Sequence, residues 1–250
     1  MILFLWFLQG LAVGQVMGFT GSGGAVVSIP FLLFIFKTSL KEASILSLLS
    51  VILGAFFNWA TQKKNTDYIL SFHLIGWSIL GSYPASLLKP LLPELLLKII
   101  FVCASLLGLY FFFKKPKEYN NGPQENQKGP TWKNFILPGI MIGLLSGLTG
   151  IGGGILLVPI LLGVLNVPME RALASSLFAI LCSSLFSFLF QTNQLPPLFS
   201  FFNLFGLVVG ILVGTLLVRQ LTQILPAPLL KKIRQFLYFG VIGLALSSLL

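Results

Sequence analysis

Residues 10–24 read GLAVGQVMGFTGSGG, and residues 139–153 read GIMIGLLSGLTGIGG. The register between them does not slip. Gly10, Gly14, Gly18, Thr20, Gly21, Gly23 and Gly24 recur as Gly139, Gly143, Gly147, Thr149, Gly150, Gly152 and Gly153, and Pro30 recurs as Pro159. The duplication runs beyond the motif. At the same offset Ala43 matches Ala172, Ser47 matches Ser176, Gln62 matches Gln191 and Gly81 matches Gly210. The chain is one unit used twice, residues 1–113 and 134–250, joined by the polar linker 114–133. A glycine-broken apolar segment at matching places in two halves predicts an internally repeated membrane protein, with its site where the breaks meet.

Composition fixes the solvent. The 250 residues are 56% hydrophobic and 9% charged, against roughly 25% charged in soluble domains. The apolar runs are about 20 residues long, the length of a bilayer-crossing helix. They are Ile2–Phe36 (interrupted at residues 20–24), Ala43–Thr61, Ile69–Leu88, Leu95–Phe113, Asn134–Leu165 (interrupted at 149–154), Ala172–Phe190, Leu198–Val218 and Leu229–Leu250. The expected fold is all-α and polytopic, with each repeat a broken hairpin plus three transmembrane helices. The net charge of +10 sits in short loops, which reads as a topology signal and not as a nucleic-acid surface. No basic residue precedes the first apolar run, so no cleaved signal peptide is expected. Cys103 and Cys182 are read as small buried hydrophobes. No cluster with metal-ligand spacing exists, and neither metal nor cofactor is expected.

Each broken segment exceeds 30 residues, too long for one straight crossing of a core about 30 Å thick. If both return to the side they entered from, one side collects Lys63, Lys64, the five linker lysines, Arg171, Arg219, Lys231, Lys232 and Arg234, which is 12 basic residues, against 4 on the other. If each crosses once, the division is 7 to 9. The first reading obeys the positive-inside rule. It makes the second repeat inverted, the linker cytoplasmic and both termini external.

The glycines spaced by four make a smooth face for close helix contact. The Thr-Gly-x-Gly-Gly cores do more. Glycine costs about 1 kcal/mol in a helix relative to alanine, and unpaired backbone in a bilayer is tolerated only inside protein or beside a wet cavity. Helices restarting at Gly24 and Gly153 would aim free N–H groups and positive dipole ends at a small anion. A purely structural kink is the other reading. The candidate binding set is Thr20, Gly21, Gly23, Gly24, Thr149, Gly150, Gly152, Gly153, Gly154, Ser47, Ser176, Gln62 and Gln191. The serines and glutamines could line the pocket or bond helix to helix. All six acids lie in loops or at segment ends, so a carboxylate proton relay is not expected.

The doubled motif, with Pro30 and Pro159 following and a basic central linker, resembles the sulfite exporter TauE/SafE family. The first copy departs from the fuller pattern, with Ala25 where Gly154 stands and Ser22 where Ile151 stands. The resemblance implies a permease for small sulfur-containing anions such as sulfite or organosulfonates. It implies a cell (inner) membrane, a lipid bilayer as the surroundings and no enzyme activity, while short loops and small size point to a bacterial source; homo-oligomer formation stays open. A non-transporting membrane scaffold is the alternative. An intramembrane serine hydrolase built on Ser22 is disfavoured, because Ile151 replaces that serine in the second copy.

Overall fold

The computed structural model describes residues 2–21, 24–113, 135–152, 154–163, 167–192, 201–226 and scattered positions from 229 to 243. Among them run nine α-helices and no strand: α1 (Ile2–Thr20), α2 (Gly24–Ile35), α3 (Leu40–Gln62), α4 (Tyr68–Leu88), α5 (Glu94–Phe113), α6 (Ile136–Thr149), α7 (Gly154–Gly163), α8 (Met169–Leu189) and α9 (Phe201–Ile224). The expected helix breaks fall at Gly21 and Gly150. The linker 114–133, Gly23, Gly153 and most of the expected last segment lie outside the described residues.

The acids start helices. Ser39 and Glu42 form a reciprocal capping box at α3, satisfying two N–H groups that the first turn leaves open. The Asp67 side chain accepts the Leu70 N–H and starts α4. Glu94 reaches from the start of α5 to accept the Leu40 N–H at 2.9 Å.

Four helical stretches are long and apolar enough to cross a membrane: Ile2–Thr20, Leu40–Asn65, Met169–Leu189 and Phe202–Ile224. The bundle is apolar outside and serine-rich inside. Phe72, Leu80, Leu87, Phe202, Phe205 and Leu216 are exposed, while Ser44, Ser47, Ser50, Ser146, Ser176 and Ser187 are buried. That distribution suits lipid, where small residues and internal hydrogen bonds hold helices together in place of a hydrophobic drive. One expectation fails here. Cys103 is exposed on α5, not buried, whereas Cys182 is half-buried; both are free thiols. A thiol is apolar enough to face hydrocarbon.

The halves interlock through their glycines. Helix α1 packs on α9, and its repeat-mate α6 packs on α4, itself the mate of α9. A Cβ at Gly10 would fall on the Leu207 carbonyl, and one at Gly143 on the Ser78 carbonyl. The return contacts use Gly210 against the Phe7 carbonyl and Gly81 against the Ile140 carbonyl. The remaining mates, α3 and α8, lie against each other. The Trp59 and Phe178 rings are 5.2 Å apart, and Val51 and Ser184 both border Gly152. Residue numbers therefore rise along α3 as they fall along α8, so the two run antiparallel.

Gly143→Ala is expected to lower the thermal unfolding midpoint in detergent sharply, because the new methyl meets backbone that cannot yield. Gly76→Ala, where a Cβ meets nothing within 4 Å, should leave it unchanged or raise it through helix propensity. Equal loss in both variants would contradict this account of the glycine faces.

Candidate functional site

The two breaks are built alike. In the first, Thr20 Oγ1 donates to the Val16 carbonyl at 2.7 Å, and the Gly21 N–H donates to Met17 at 2.8 Å. In the second, Thr149 Oγ1 donates to Leu145 at 2.7 Å, and the Gly150 N–H donates to Ser146 at 3.1 Å. Gly21 then turns into the left-handed region at φ 68°, Gly150 at 73° and Gly152 at 69°, where a side chain is disfavoured. Space forbids one as well. A Cβ at Gly150 would strike the Ser44 carbonyl, and one at Gly21 the Leu173 side chain.

Each turn exposes a carbonyl that the helix no longer uses, and a serine of the other repeat takes it. Ser47 Oγ lies 3.0 Å from the Gly150 oxygen and 2.8 Å from the Ser44 oxygen of its own helix. Its mate Ser176 lies 3.3 Å from the Gly21 oxygen and 2.8 Å from that of Leu173. In each case one hydroxyl proton is shared between two acceptors. Both serines are fully buried.

These clasps do not coincide. Ser47 and Ser176 each lie near the N-terminal end of their helix, and α3 and α8 run antiparallel, so the turns sit toward opposite ends of the bundle. The restarting helices come back to one level. A Cβ on Gly24 or on Gly54 would meet Met17 Sδ, at 2.5 and 2.6 Å, and one on Gly152 would meet Val51 Cγ1 at 2.8 Å. Val51 and Gly54 share one turn in the middle of α3. The starts of α2 and α7 thus both lie beside one turn of α3, whereas the glycine turns before them lie apart.

The two glutamines part company. Gln62 is half-buried at the end of α3. Gln191 is fully buried. Its Nε2 donates to the carbonyls of Gly147, at 3.2 Å, and Ser187, at 3.1 Å, and its Oε1 accepts Lys89 Nζ at 2.5 Å. Lys89 begins the 3-10 turn beyond α4 and is 1% exposed. Burial, and secondarily the nearby Lys41, lowers its pKa to about 7.

Sequence reasoning counted Lys89 only among the basic residues in short loops between apolar runs. The available signal was its position directly after an apolar helix and before Pro90. Gln9 was also missed. Its Nε2 donates to Ser28 Oγ at 2.7 Å and to Ser50 Oγ at 3.3 Å, and its Oε1 is buried without a partner. Ser184 Oγ, buried and unpartnered, lies 2.7 Å from where Gly152 would carry a Cβ. Asn58 donates to the Gly54 carbonyl and to Thr215 Oγ1, so it works as an interhelical tie. A cavity of about 950 Å³ opens between the α3–α4 loop and the start of α8, where Lys64, Asp67, Glu170 and Arg171 line it, just before the Leu173 that borders Gly21.

A family model described as sulfite exporter TauE/SafE matches residues 6–247. The chain belongs to this family. It is also 29% identical over 199 residues to a probable membrane transporter protein of Methanocaldococcus jannaschii, an alignment covering 74% of this chain and 70% of the relative. No solved structure matches the chain. The family and this relative make the chain a multi-pass membrane transporter.

Ser47→Ala should cost about 1–3 kcal/mol, the penalty for a buried acceptor left unpaired, read as a lower midpoint in detergent unfolding. Gly150→Ala should cost more, since it adds a left-handed residue and a clash to the same site. A neutral Ser47→Ala would remove the clasp from the account of stability.

Proposed function

We propose that the chain is a permease for small sulfur-containing anions, and that the starts of α2 and α7 form its binding site. The observation that carries this reading is the return of both restarting helices to one turn of α3, around Val51 and Gly54. Helix N-termini leave N–H groups without partners and present positive dipole ends, which favour a small anion. The lining would come from Gly24 on one side and from Gly152 and Gly154 on the other, with Thr20, Gly21, Thr149 and Gly150 shaping the turns that lead to it. Ser47 and Ser176 act there by holding the turns, with Gln191 bracing the second segment through the Gly147 carbonyl. Gln62 stands at the end of α3, about two turns beyond Gly54. The family description supports sulfite or a related sulfur anion as the cargo.

The distribution of basic residues supports an inner-membrane orientation with the linker 114–133 cytoplasmic and both termini external. A negative interior then favours anion exit by about 2.3 kcal/mol per charge per 100 mV.

The test is flux in proteoliposomes under an imposed potential, with thiosulfate and sulfite compared against sulfate and chloride. Saturable thiosulfate flux that follows the potential and is lost in Gly152→Leu is the expected result, with Gly76→Ala retaining it. Folded protein that moves none of these anions would overturn the sulfur-anion reading. Flux untouched by Gly152→Leu would move the site away from the second break.

A further inference from the structure

The Lys89 amine has no counter-charge beside it. It is 1% exposed, and among the described residues its one hydrogen-bond partner is a neutral amide, Gln191 Oε1. An ammonium carries three N–H donors and needs an opposite charge when taken out of water. Among the described residues nothing nearby supplies one. The carboxylates at this end are engaged by backbone: Glu42 accepts the Ser39 N–H at 3.1 Å, and Glu94 accepts the Leu40 N–H. Lys41, which donates to the Pro90 carbonyl at 2.9 Å, adds like charge. Tyr83 packs its ring on Phe190. Neither α6 nor α8 offers an acid, since Glu170 lies at the far end of α8.

The amide cannot turn away. Gln191 Nε2 is held by two carbonyls, those of Gly147 and Ser187, which leaves Oε1 facing Lys89. Gly147 stands one turn before the left-handed Gly150. Lys89 is therefore wired through one side chain to the second break. The repeat-mate of Lys89 is Val218, so the first break has no equivalent.

We propose that Lys89 is an anion-binding residue of the second break that takes up one proton as the anion arrives, so that anion and proton bind together. This rests on the anion-permease reading above. The step balances. An unprotonated amine takes a proton from water as the anion enters, and the resulting ammonium pairs with the anion; release reverses both. A dianion then crosses with one net negative charge and stays sensitive to potential, while a monovalent anion crosses without net charge. The linkage has a definite sign. Below its folded pKa Lys89 is already charged and uptake vanishes; above it uptake approaches one proton per anion.

The experiment is calorimetric titration of thiosulfate, which has no titrating group near neutrality, into purified protein in two buffers of different ionisation heat. At pH 8 the expected uptake is about one proton per thiosulfate, falling toward zero at pH 5.5. Lys89→Arg, always charged, should bind without uptake. Lys89→Met, which removes a buried charge at similar volume, should bind about tenfold or more weakly; if it does not fold, Lys89→Arg decides alone. Wild-type binding with no uptake at pH 8, or uptake that persists in Lys89→Arg, overturns the proposal and leaves the permease reading standing. Folded wild type that neither binds nor transports thiosulfate, sulfite or methanesulfonate overturns both.

Discussion

A backbone carbonyl released inside a bilayer must find a donor, because no water is there to supply one. Two such carbonyls, of Gly21 and Gly150, organise this molecule. Each appears because a glycine leaves the helix in the left-handed region, and each is taken by a serine from the opposite repeat. The glycine turn therefore cannot be stable within its own half. It needs α3 or α8 of the other half at contact distance, and that contact sets the central pair of the bundle. The glycine faces of α1 and α6 then follow, since the same crossing brings them against α9 and α4.

On that near-symmetric frame the polar groups are not symmetric. Gln9, Ser28 and Ser50 form a bonded cluster in the first repeat, where the second has Pro138, Leu157 and Ala179. Ser184 faces the second break, and its mate is Ala55. Lys89 answers to Val218. The backbone positions that make the breaks are kept in both halves, while the side chains around them have diverged. Such a frame can present two helix starts and load them unequally, which suits a cargo that must be released on one side of the membrane after being held from the other.

Much of the fold was legible because the signals were local. The break at Thr20–Gly24 follows from glycine density, and the helix starts at Ser39 and Asp67 from side chains that cap their own backbone. The repeat was legible because it is written in register. Partner choice was not local. Ser47 and Ser176 were candidates from sequence, but that each would hold the other half's carbonyl depends on the packing of α3 against α8. Lys89 was misread for the same reason. A lysine after an apolar helix is solvated unless a neighbouring helix ends above it, and only the placement of Gln191 shows that one does. Cys103 erred the other way, since an apolar run does not say which of its faces meets lipid.

The reciprocal glycine contacts also bear on how the chain is made. Helix α1 leaves the ribosome before the other described helices, yet the surface that fits it belongs to α9, nearly two hundred residues later. Its Gly10 and Gly14 face must wait in the membrane, open to lipid or to other helices, until α9 has been translated. The first repeat is a set of inserted segments and not a finished object. Assembly is therefore a late, concerted event that closes both halves together, and a chain stopped after the linker would present two unmatched glycine surfaces to whatever quality control patrols the bilayer.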